Sequence, residues 1–250
     1  MHYLRLRRSR TILACFAVSA LLFTAFPRID LYVSGLFFRD SFHLSGQWWT
    51  TFMHESLGYF LALSMAAVLG LYLCNKLWKR NLCGVDGKRV AYLFLVLILG
   101  AGVIVNVLLK DNLGRARPRD VEEFSGSKLF TPPFVPSDEC HKNCSFSSGE
   151  AAGGFFTLAL ALALSKRRAA LVLAAAFGTF VSFCRVAAGA HFFSDTVVSF
   201  FVMLIVADVL YYYLLSAEFE PAALGRLALS GTPLSGPKDK DFAATAVEIR

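Results

Sequence analysis

Six long apolar runs constrain the fold of this chain more than any other feature. They cover residues 11–26, 57–77, 90–109, 149–165, 169–190 and 192–215. The third run, as a helix of about 20 residues, would be about 30 Å long, which matches the hydrocarbon thickness of a bilayer. The pattern therefore predicts an all-α, polytopic membrane protein built as a bundle of six transmembrane helices.

Composition supports this fold class and excludes others. Apolar residues make up 56% of the chain and charged residues only 17%, whereas ordinary globular domains are about 45–50% apolar and about 25% charged. This balance excludes a disordered or nucleic-acid-binding tail protein and disfavours a compact water-soluble enzyme. We expect the partners to be the membrane and a lipid, with no nucleic acid. The oligomeric state is not indicated.

The first apolar run has two interpretations. Basic residues precede it, as in a signal peptide, and the letters before Cys15 suggest a lipoprotein cleavage site. That site follows Arg10 too closely to leave the apolar stretch of about 7–15 residues that a signal peptide needs. We therefore favour an uncleaved first span, with a signal peptide as the alternative.

The distribution of basic residues predicts the orientation. If the N-terminus lies inside, most Lys and Arg residues fall in inner segments, as is typical of cytoplasmic segments. Both termini are therefore expected in the cytoplasm. The tail, residues 216–250, is expected to be a poorly ordered cytoplasmic extension of the domain formed by residues 1–215. Residues 28–49 are expected to form a loop at the outer interface.

Three polar stretches collect at the outer ends of the predicted spans. They are residues 110–120, 144–154 and 184–195. The first follows the third apolar run, the second opens the fourth, and the third joins the fifth to the sixth. Antiparallel packing can therefore bring all three together at one membrane depth. The basic residues in 110–119 run against the cytoplasmic bias, so something other than topology explains them.

The residue types in these stretches suit a phosphate group. Lys110, Arg117 and Arg185 are cations, and a guanidinium can bind two phosphate oxygens at once. Ser148 and Gly149 begin a helix, where free backbone N–H groups and the helix dipole favour an anion. Taken singly, each cation has a plainer explanation, such as contact with lipid headgroups. Together they favour a phosphate site.

His191 and Asp195 suit a nucleophile and its partner. Four residues apart at the expected start of a helix, they would lie on one face. A carboxylate bonded to one ring nitrogen fixes the tautomer and leaves the other nitrogen free to attack. Alone, such a histidine would more often be an interfacial residue than a nucleophile.

The order and spacing of these residues resemble a known family. The chain reads Lys-x6-Arg-Pro, then Ser-Gly followed by an acid, then Arg-x5-His-x3-Asp. This pattern, over roughly residues 10–215, resembles the type 2 phosphatidic acid phosphatase (PAP2) superfamily. The resemblance implies a metal-independent phosphoric monoester hydrolase without a cofactor, with His191 as nucleophile and Asp195 as its orienting partner. It also implies phosphate binding by Lys110, Arg117, Ser148, Gly149 and Arg185.

Two positions depart from the family pattern. Where the family has Pro-Ser-Gly-His, this chain has Ser-Ser-Gly-Glu ending at Glu150, and Cys184 replaces the serine before Arg185. The missing histidine usually protonates the leaving oxygen. Glu150 can take over this acid role only if its surroundings keep it protonated. The alternative is that Glu150 orients a cation or caps the helix.

Further features resemble the bacterial lipid A 4′-phosphatase branch of the family. They are the Ser-Gly-Glu variant, the sequence Arg-Ala-Arg-Pro-Arg-Asp and a Cys-x3-Cys pair before the second motif. Arg115, Arg119 and Lys128 add positive charge, which suits a large, multiply anionic headgroup. Contact with ordinary anionic lipids is the alternative for these three residues.

Cys140 and Cys144 share a polar outer loop, whereas the other cysteines lie in or beside apolar runs. Because the periplasm is oxidising, we expect a disulfide between them, closing a short loop just before the predicted phosphate-binding helix. Two free thiols, or a metal site that includes His141, are the alternatives.

The resemblance implies an inner-membrane enzyme that removes a phosphate, with the 4′ position favoured, from lipid A or its precursor on the periplasmic face. The alternatives are a phosphatase for undecaprenyl pyrophosphate or phosphatidylglycerophosphate, a lipid phosphotransferase, and a non-enzymatic bundle with degenerate motifs. The intact pair of His191 and Asp195 argues against the last. One carboxylate, Asp208, lies deep in the sixth run and is expected to face the bundle interior.

Overall fold

The computed structural model describes residues 2–165 and 167–216, where all regular secondary structure is helical. The main helices are α1 (His2–Ala25), α2 (Arg28–Gly35), α3 (Trp48–Leu77), α4 (Gly87–Leu95, continued by Val96–Lys110), α5 (Gly149–Leu164), α6 (Arg168–Ala187) and α7 (Phe193–Tyr211, continued by Tyr212–Ser216). The expected all-α class is confirmed. Beyond Ser216, the expected tail lies outside the described residues.

Four of the described helices are long and apolar enough to cross a bilayer. They are Trp48–Leu77, Gly87–Lys110, Arg168–Ala187 and Phe193–Ser216. Helices α1 and α2 pass the same test together, as a pair bent by 85°, which gives five if the pair is one span. Helix α5 is apolar but has only 16 residues, about 24 Å of helix against a hydrocarbon core of about 30 Å. The chain is a multi-pass membrane protein.

Helix α5 lies at the centre of the bundle, because its small residues allow neighbours to approach on several sides. It packs against α6, α7, α4 and α3. A Cβ added at Gly178 of α6 would lie 2.3 Å from the Phe155 ring of α5, and one at Gly154 would lie 3.2 Å from the Cα of Gly178. These glycines therefore set the close contact between α5 and α6.

Helices α1 and α2 meet at a sharp bend and both contact α7. Two ring pairs lie along the contact of α1 with α7. Phe16 and Phe201 are tilted with centroids 5.5 Å apart, and Phe23 and Phe193 meet edge to face at 5.8 Å. The hydroxyl of Ser9 donates to Asp208 at 2.7 Å, so this deep carboxylate faces the bundle interior.

The segment after the bend was expected to be a loop over residues 28–49, and this expectation is wrong for Arg28–Gly35. Pro27 precedes the helix as its N-cap, where its missing N–H costs no hydrogen bond. The buried residues of this helix are the polar Asp30 and Ser34. Polar residues in this segment therefore face the protein and do not indicate an exposed loop.

A small aromatic cluster holds the long connection between α4 and α5, residues 111–148. This segment is called the outer connection after the side of the membrane predicted for it. Phe42, Ala116, Val121, Phe124 and Phe192 are buried together. The cluster joins the linker between α2 and α3 to the outer connection and to the turn before α7. It therefore fixes the backbone next to Arg115 and His191, the neighbours of Ala116 and Phe192.

Candidate active site

Two backbone hydrogen bonds join the three polar stretches. The N–H of Ser145 donates to the carbonyl of Arg115 at 2.8 Å, and the N–H of Arg119 donates to the carbonyl of Gly189 at 3.1 Å. Residues 110–120 therefore contact both of the other stretches. The stretches predicted to lie at one membrane depth come together in the fold.

His191 is a buried, neutral imidazole. It lies in the turn just before α7 and is 1% exposed. Its Nδ1 lies 2.7 Å from the carbonyl oxygen of Ser145, and because a carbonyl can only accept, Nδ1 carries the proton. Burial lowers the pKa of His191 to about 4, although the Asp195 carboxylate acts in the opposite direction. Near neutral pH, Nε2 therefore keeps its lone pair and can act as a nucleophile.

The sequence suggests a direct hydrogen bond between Asp195 and the ring of His191, and the structure does not have one. Its Oδ2 lies 3.7 Å from Nδ1, beyond hydrogen-bond range. That oxygen instead accepts from the N–H of Phe192 at 2.8 Å and from the hydroxyl of Ser145 at 2.5 Å. The reason is that His191 precedes the helix instead of lying on it. Asp195 acts on His191 through its charge and through Ser145, whose carbonyl fixes the tautomer.

The headgroup role expected for Arg115 is wrong, because this side chain is buried in the protein. It is 1% exposed. Its guanidinium pairs with Asp195 at 2.6 Å and with Asp30 at 2.8 Å, and its Nε donates to the carbonyl of Thr131 at 2.8 Å. The ring of Phe192 lies 4.1 Å from its Cζ. A guanidinium enclosed in this way cannot reach a lipid headgroup.

Asp30 of α2 completes this network and was missed by the sequence analysis. Its Oδ1 accepts from the N–H of Ser194 and its Oδ2 from the Ser194 hydroxyl, at 2.8 and 2.5 Å. Helix α2 therefore holds the first turn of α7. The signal in the sequence was a lone carboxylate within a largely apolar segment, where an unpaired charge would be costly. We refer to Asp30, Arg115, Ser145, His191 and Asp195 as the buried hub.

The three cations expected to bind phosphate converge on one place from three elements. Lys110 ends α4, Arg117 lies in the outer connection, and Arg185 lies in the last turn of α6. The charges of Lys110 and Arg117 both act on His191. Burial, with the neighbouring charges of Arg119 and Arg185, lowers the pKa of Arg117. Grouped like charges repel one another, so this arrangement favours an anion between them.

Arg117 is anchored to the loop that the two outer cysteines close. Its Nη2 and Nε donate to the carbonyl of Asn143 at 2.8 and 3.3 Å. Cys140 and Cys144 are bonded to each other, with their Cα atoms 5.6 Å apart. Since Ser145 follows directly, this loop contacts both a phosphate-binding candidate and the hub.

The start of α5 has the local structure expected of an anion site. Ser148 is the N-cap, and its hydroxyl accepts from the N–H of Ala151 at 3.2 Å. Its own N–H faces the carbonyl of Asp195 at 3.4 Å, so it is less available to phosphate than expected. A Cβ at Gly149 would lie 2.7 Å from Asn106 Oδ1, so any larger residue there would have to displace the Asn106 side chain. The N–H groups of Gly149 and Glu150 have no partner within the helix.

Glu150 lies between a guanidinium and an imidazole. Its Oε2 lies 3.0 Å from Nε of Arg185, and its Oε1 lies 3.0 Å from Nδ1 of His54. Among the described residues, that Oε2 and that Nε have no well-aligned hydrogen bond. His54, on α3, was missed by the sequence analysis because α3 carries none of the three motifs. We refer to His54, Lys110, Arg117, Glu150 and Arg185 as the cation side.

Two other basic residues flank the site. Arg119 is half-exposed at the rim, with its Nε 4.0 Å from Asp120. Lys128, in contrast, donates to the backbone carbonyl of Glu139, so its ammonium is tied to the outer connection. Of the expected headgroup residues, Arg119 is the one placed at the surface without such a backbone anchor.

Comparison with known proteins classifies the chain. A family model described as the PAP2 superfamily matches residues 91–218, which include all three polar stretches. This chain belongs to the PAP2 superfamily. It is therefore a phosphatase by family, in agreement with the resemblance drawn from its motifs.

Two relatives of this PAP2 member share most of its length. A protein of Francisella tularensis subsp. novicida, named lipid A 4′-phosphatase, is 33% identical over 192 residues, which are 74% of this chain and 86% of that protein. A Rhizobium leguminosarum protein of the same name is 30% identical over 201 residues, with the same coverage of 74% and 86%.

A solved structure shares the fold of this PAP2 member. It is the PAP2-type phosphatidylglycerolphosphate phosphatase from Bacillus subtilis, with a TM-score of 0.57 and 18% identity over 85% of this chain and 98% of that chain. At this identity the likeness concerns the fold alone. It confirms a transmembrane PAP2 architecture for the helices described above.

The described part of this PAP2 phosphatase holds no cluster of three or more His, Cys, Asp or Glu side chains that could bind a metal ion. The described residues bring together an imidazole, a carboxylate and cations at this site.

Proposed function

We propose that this PAP2 member removes the 4′-phosphate from lipid A or its precursor through a phosphohistidine at His191. The observation that carries the chemistry is the buried imidazole of His191, whose Nδ1 is committed to the Ser145 carbonyl, beside Lys110 and Arg117. The substrate is proposed because relatives at 30–33% identity over most of this chain are named lipid A 4′-phosphatase.

In the first step, Nε2 of His191 attacks phosphorus and the bond from phosphorus to the sugar oxygen breaks. Lys110, Arg117 and Arg185, with the free backbone N–H groups at the start of α5, hold the phosphoryl oxygens and balance the charge that develops on them. The hub keeps the attacking ring in place, and Asp195 stabilises the positive charge that the ring gains. Glu150 delivers a proton to the departing sugar oxygen.

In the second step, water attacks the phosphorus of the phosphohistidine and the nitrogen–phosphorus bond breaks. The proton lost by that water passes to Glu150. Inorganic phosphate leaves and Nε2 regains its lone pair. Each step uses only side chains of this chain, so the proposed reaction is metal-independent and needs no cofactor.

The membrane arrangement proposed with this function has six spans, both termini in the cytoplasm and the site at the periplasmic face of the inner membrane. Helix α5, with its 16 apolar residues, would cross the bilayer while enclosed by its neighbours α3, α4, α6 and α7. The basic residues favour this orientation. At the periplasmic rim, Arg119 would meet the anionic headgroup.

Lipid A mass spectrometry tests the proposed substrate. The chain is expressed in a host that lacks this activity, with His191→Ala as the matched inactive control. Loss of one phosphate from the 4′ position in the wild-type sample alone is the expected result. Unchanged lipid A would favour another phospholipid or pyrophosphate substrate, and an added phosphate would indicate phosphotransfer.

A further inference from the structure

An imidazole from outside the three motifs contacts the only acid of the second motif. His54 Nδ1 lies 3.0 Å from Glu150 Oε1, and the His54 side chain is 57% exposed. The opposite oxygen, Oε2, lies 3.0 Å from the buried Arg185 Nε. Glu150 therefore connects a group open to water with a group at the phosphate position.

The surroundings of Glu150 raise the question of where its proton comes from. The charge of Glu150 acts on Lys110, Arg117 and Arg185. Cations near a carboxylate favour its ionised form. A sugar alkoxide needs a proton as it departs. A second group that hands a proton to Glu150 would meet this need.

We propose that His54 is the proton donor to Glu150, so that the two side chains form a relay from water to the leaving oxygen. This inference rests on the proposed function of the site. An imidazole exchanges protons readily between about pH 5 and 8, whereas Arg185, the other neighbour, keeps its protons throughout that range. Of the two side chains that the described residues place against Glu150, His54 is the one that can supply a proton.

The proton transfers of the relay cancel over the two steps of the reaction. As the phosphorus–oxygen bond breaks, the imidazolium Nδ1 of His54 gives its proton to Glu150, and Glu150 gives one to the sugar oxygen. His54 is then neutral. When water attacks the phosphohistidine, its proton returns through Glu150 to Nδ1. No proton is gained or lost by the pair over a complete turnover.

The exposure of His54 argues for this role over a purely structural one. An ion pair between side chains that are 57% and 23% exposed contributes little to stability, because water screens both partners. Exposure to water, in contrast, allows His54 to take its proton from solvent before the first step. His54 acts through Glu150 and is therefore a positioning and relay residue, without contact to the reacting phosphorus.

The test compares leaving groups and uses the full-length protein in detergent. Wild type, His54→Ala and His54→Gln are assayed on an alkyl phosphate, on an activated aryl phosphate and on lipid A. Turnover of the alkyl ester and lipid A should fall in both variants by roughly 10²-fold, the low end of general acid catalysis, while the aryl ester changes little. The matched control is His43→Ala, which removes another exposed outer histidine.

Added imidazole sharpens the test, because a small base can enter the space left at an exposed side chain. Imidazole should restore alkyl turnover in His54→Ala, but not in Glu150→Gln, whose relay is broken at the next group. An equal loss on alkyl and aryl esters, or no rescue in a folded His54→Ala protein, overturns the proposal.

The same experiment separates this inference from the proposed function. Wild-type protein that turns over the alkyl ester but leaves lipid A unchanged would reject the lipid A substrate, while the comparison of esters still tests His54. If wild type hydrolyses no ester, phosphatase chemistry at this site fails and the relay fails with it.

Discussion

The buried hub and the cation side differ in how completely their charged side chains are hydrogen-bonded. In the hub, Asp30, Arg115 and Asp195 are at most 1% exposed and have close, well-aligned partners. On the cation side, Glu150 and Arg185 are only 3.0 Å apart yet lack an aligned hydrogen bond. His191, the proposed nucleophile, is thus held before substrate arrives, and the residues proposed to hold phosphate retain bonding capacity.

This contrast fits a division of labour. A preorganised nucleophile costs no reorganisation at the moment of reaction, because its supports are already in place. Side chains that receive a charged headgroup must exchange partners as it enters and leaves. Substitutions in the hub should therefore affect stability and the reactive ring, and substitutions on the cation side should affect the handling of substrate.

Substitution of the nucleophile should have the largest effect. His191→Ala should show no turnover on any ester and no phosphoryl label on the protein after acid-free trapping. Because the hub's charges stay paired without the ring, the variant should remain folded and inserted. Substantial turnover in this variant would contradict the phosphohistidine mechanism.

Glu150→Gln should show that the cation side and the hub have different roles in turnover. The amide cannot pass a proton, so turnover of lipid substrates should fall by about 10²–10⁴-fold, the usual worth of acid–base catalysis. An activated aryl phosphate, whose leaving group needs no proton, should be hydrolysed at a nearly normal rate. An equal loss on both substrates would show that Glu150 only positions phosphate or α5.

Arg115→Ala should damage stability far more than a substitution at the rim. It leaves Asp30 and Asp195 buried without their cation, and breaking a buried pair in this way costs about 3–5 kcal/mol. Arg119→Ala is the matched control, because Arg119 is half-exposed. Unfolding curves in detergent measure both variants. Similar midpoints for the two would mean that the hub does not support the fold.

Loss of the disulfide should make Ser145 less firmly held, because this hub residue directly follows Cys144. The double variant Cys140→Ser with Cys144→Ser should lose roughly 10-fold in turnover, less than the 10²-fold that about 1 Å of misplacement can cost. Cys83→Ser, at an exposed free cysteine, serves as the control. Non-reducing mass mapping of the wild type should recover the cross-linked peptide, whereas alkylation of both thiols would reject the bond.

The smallest effect should be that of mild acid. The pKa of His191 is lowered to about 4 by burial, so the neutral nucleophile persists as pH falls through 6.5 and is lost near 4. After correction for the substrate's own phosphate, kcat/KM on an activated ester should change less than about threefold between pH 7 and 5. An acid limb centred near 6.5 would indicate an imidazole with ordinary exposure.

The sequence predicted the residues that occur in contiguous motifs. Lys110, Arg117, Arg185 and His191 were named as candidates because cations and a histidine recur at the predicted outer ends of the apolar runs. The helical class followed from those runs alone. The span count was less predictable, since whether the short α5 crosses the bilayer depends on its neighbours, which the periodicity of one segment does not describe.

Residues joined only by the tertiary fold escaped the sequence analysis. Asp30 meets Arg115 from a distant helix, and His54 meets Glu150 from α3. Arg115 was assigned to a headgroup because its charge is visible in the sequence and its burial is not. The contact expected between His191 and Asp195 failed for a local reason, since the helix begins after the histidine.

The 85° bend between α1 and α2 has a consequence for how this enzyme can be divided. By turning α2 back toward α7, it brings Asp30 into the hub, although Asp30 lies far upstream of the family match at residues 91–218. The matched segment is therefore not a transplantable module. A chimera that exchanges the first 40 or so residues with a relative must supply a carboxylate where Asp30 meets Arg115, or leave a buried cation unpaired.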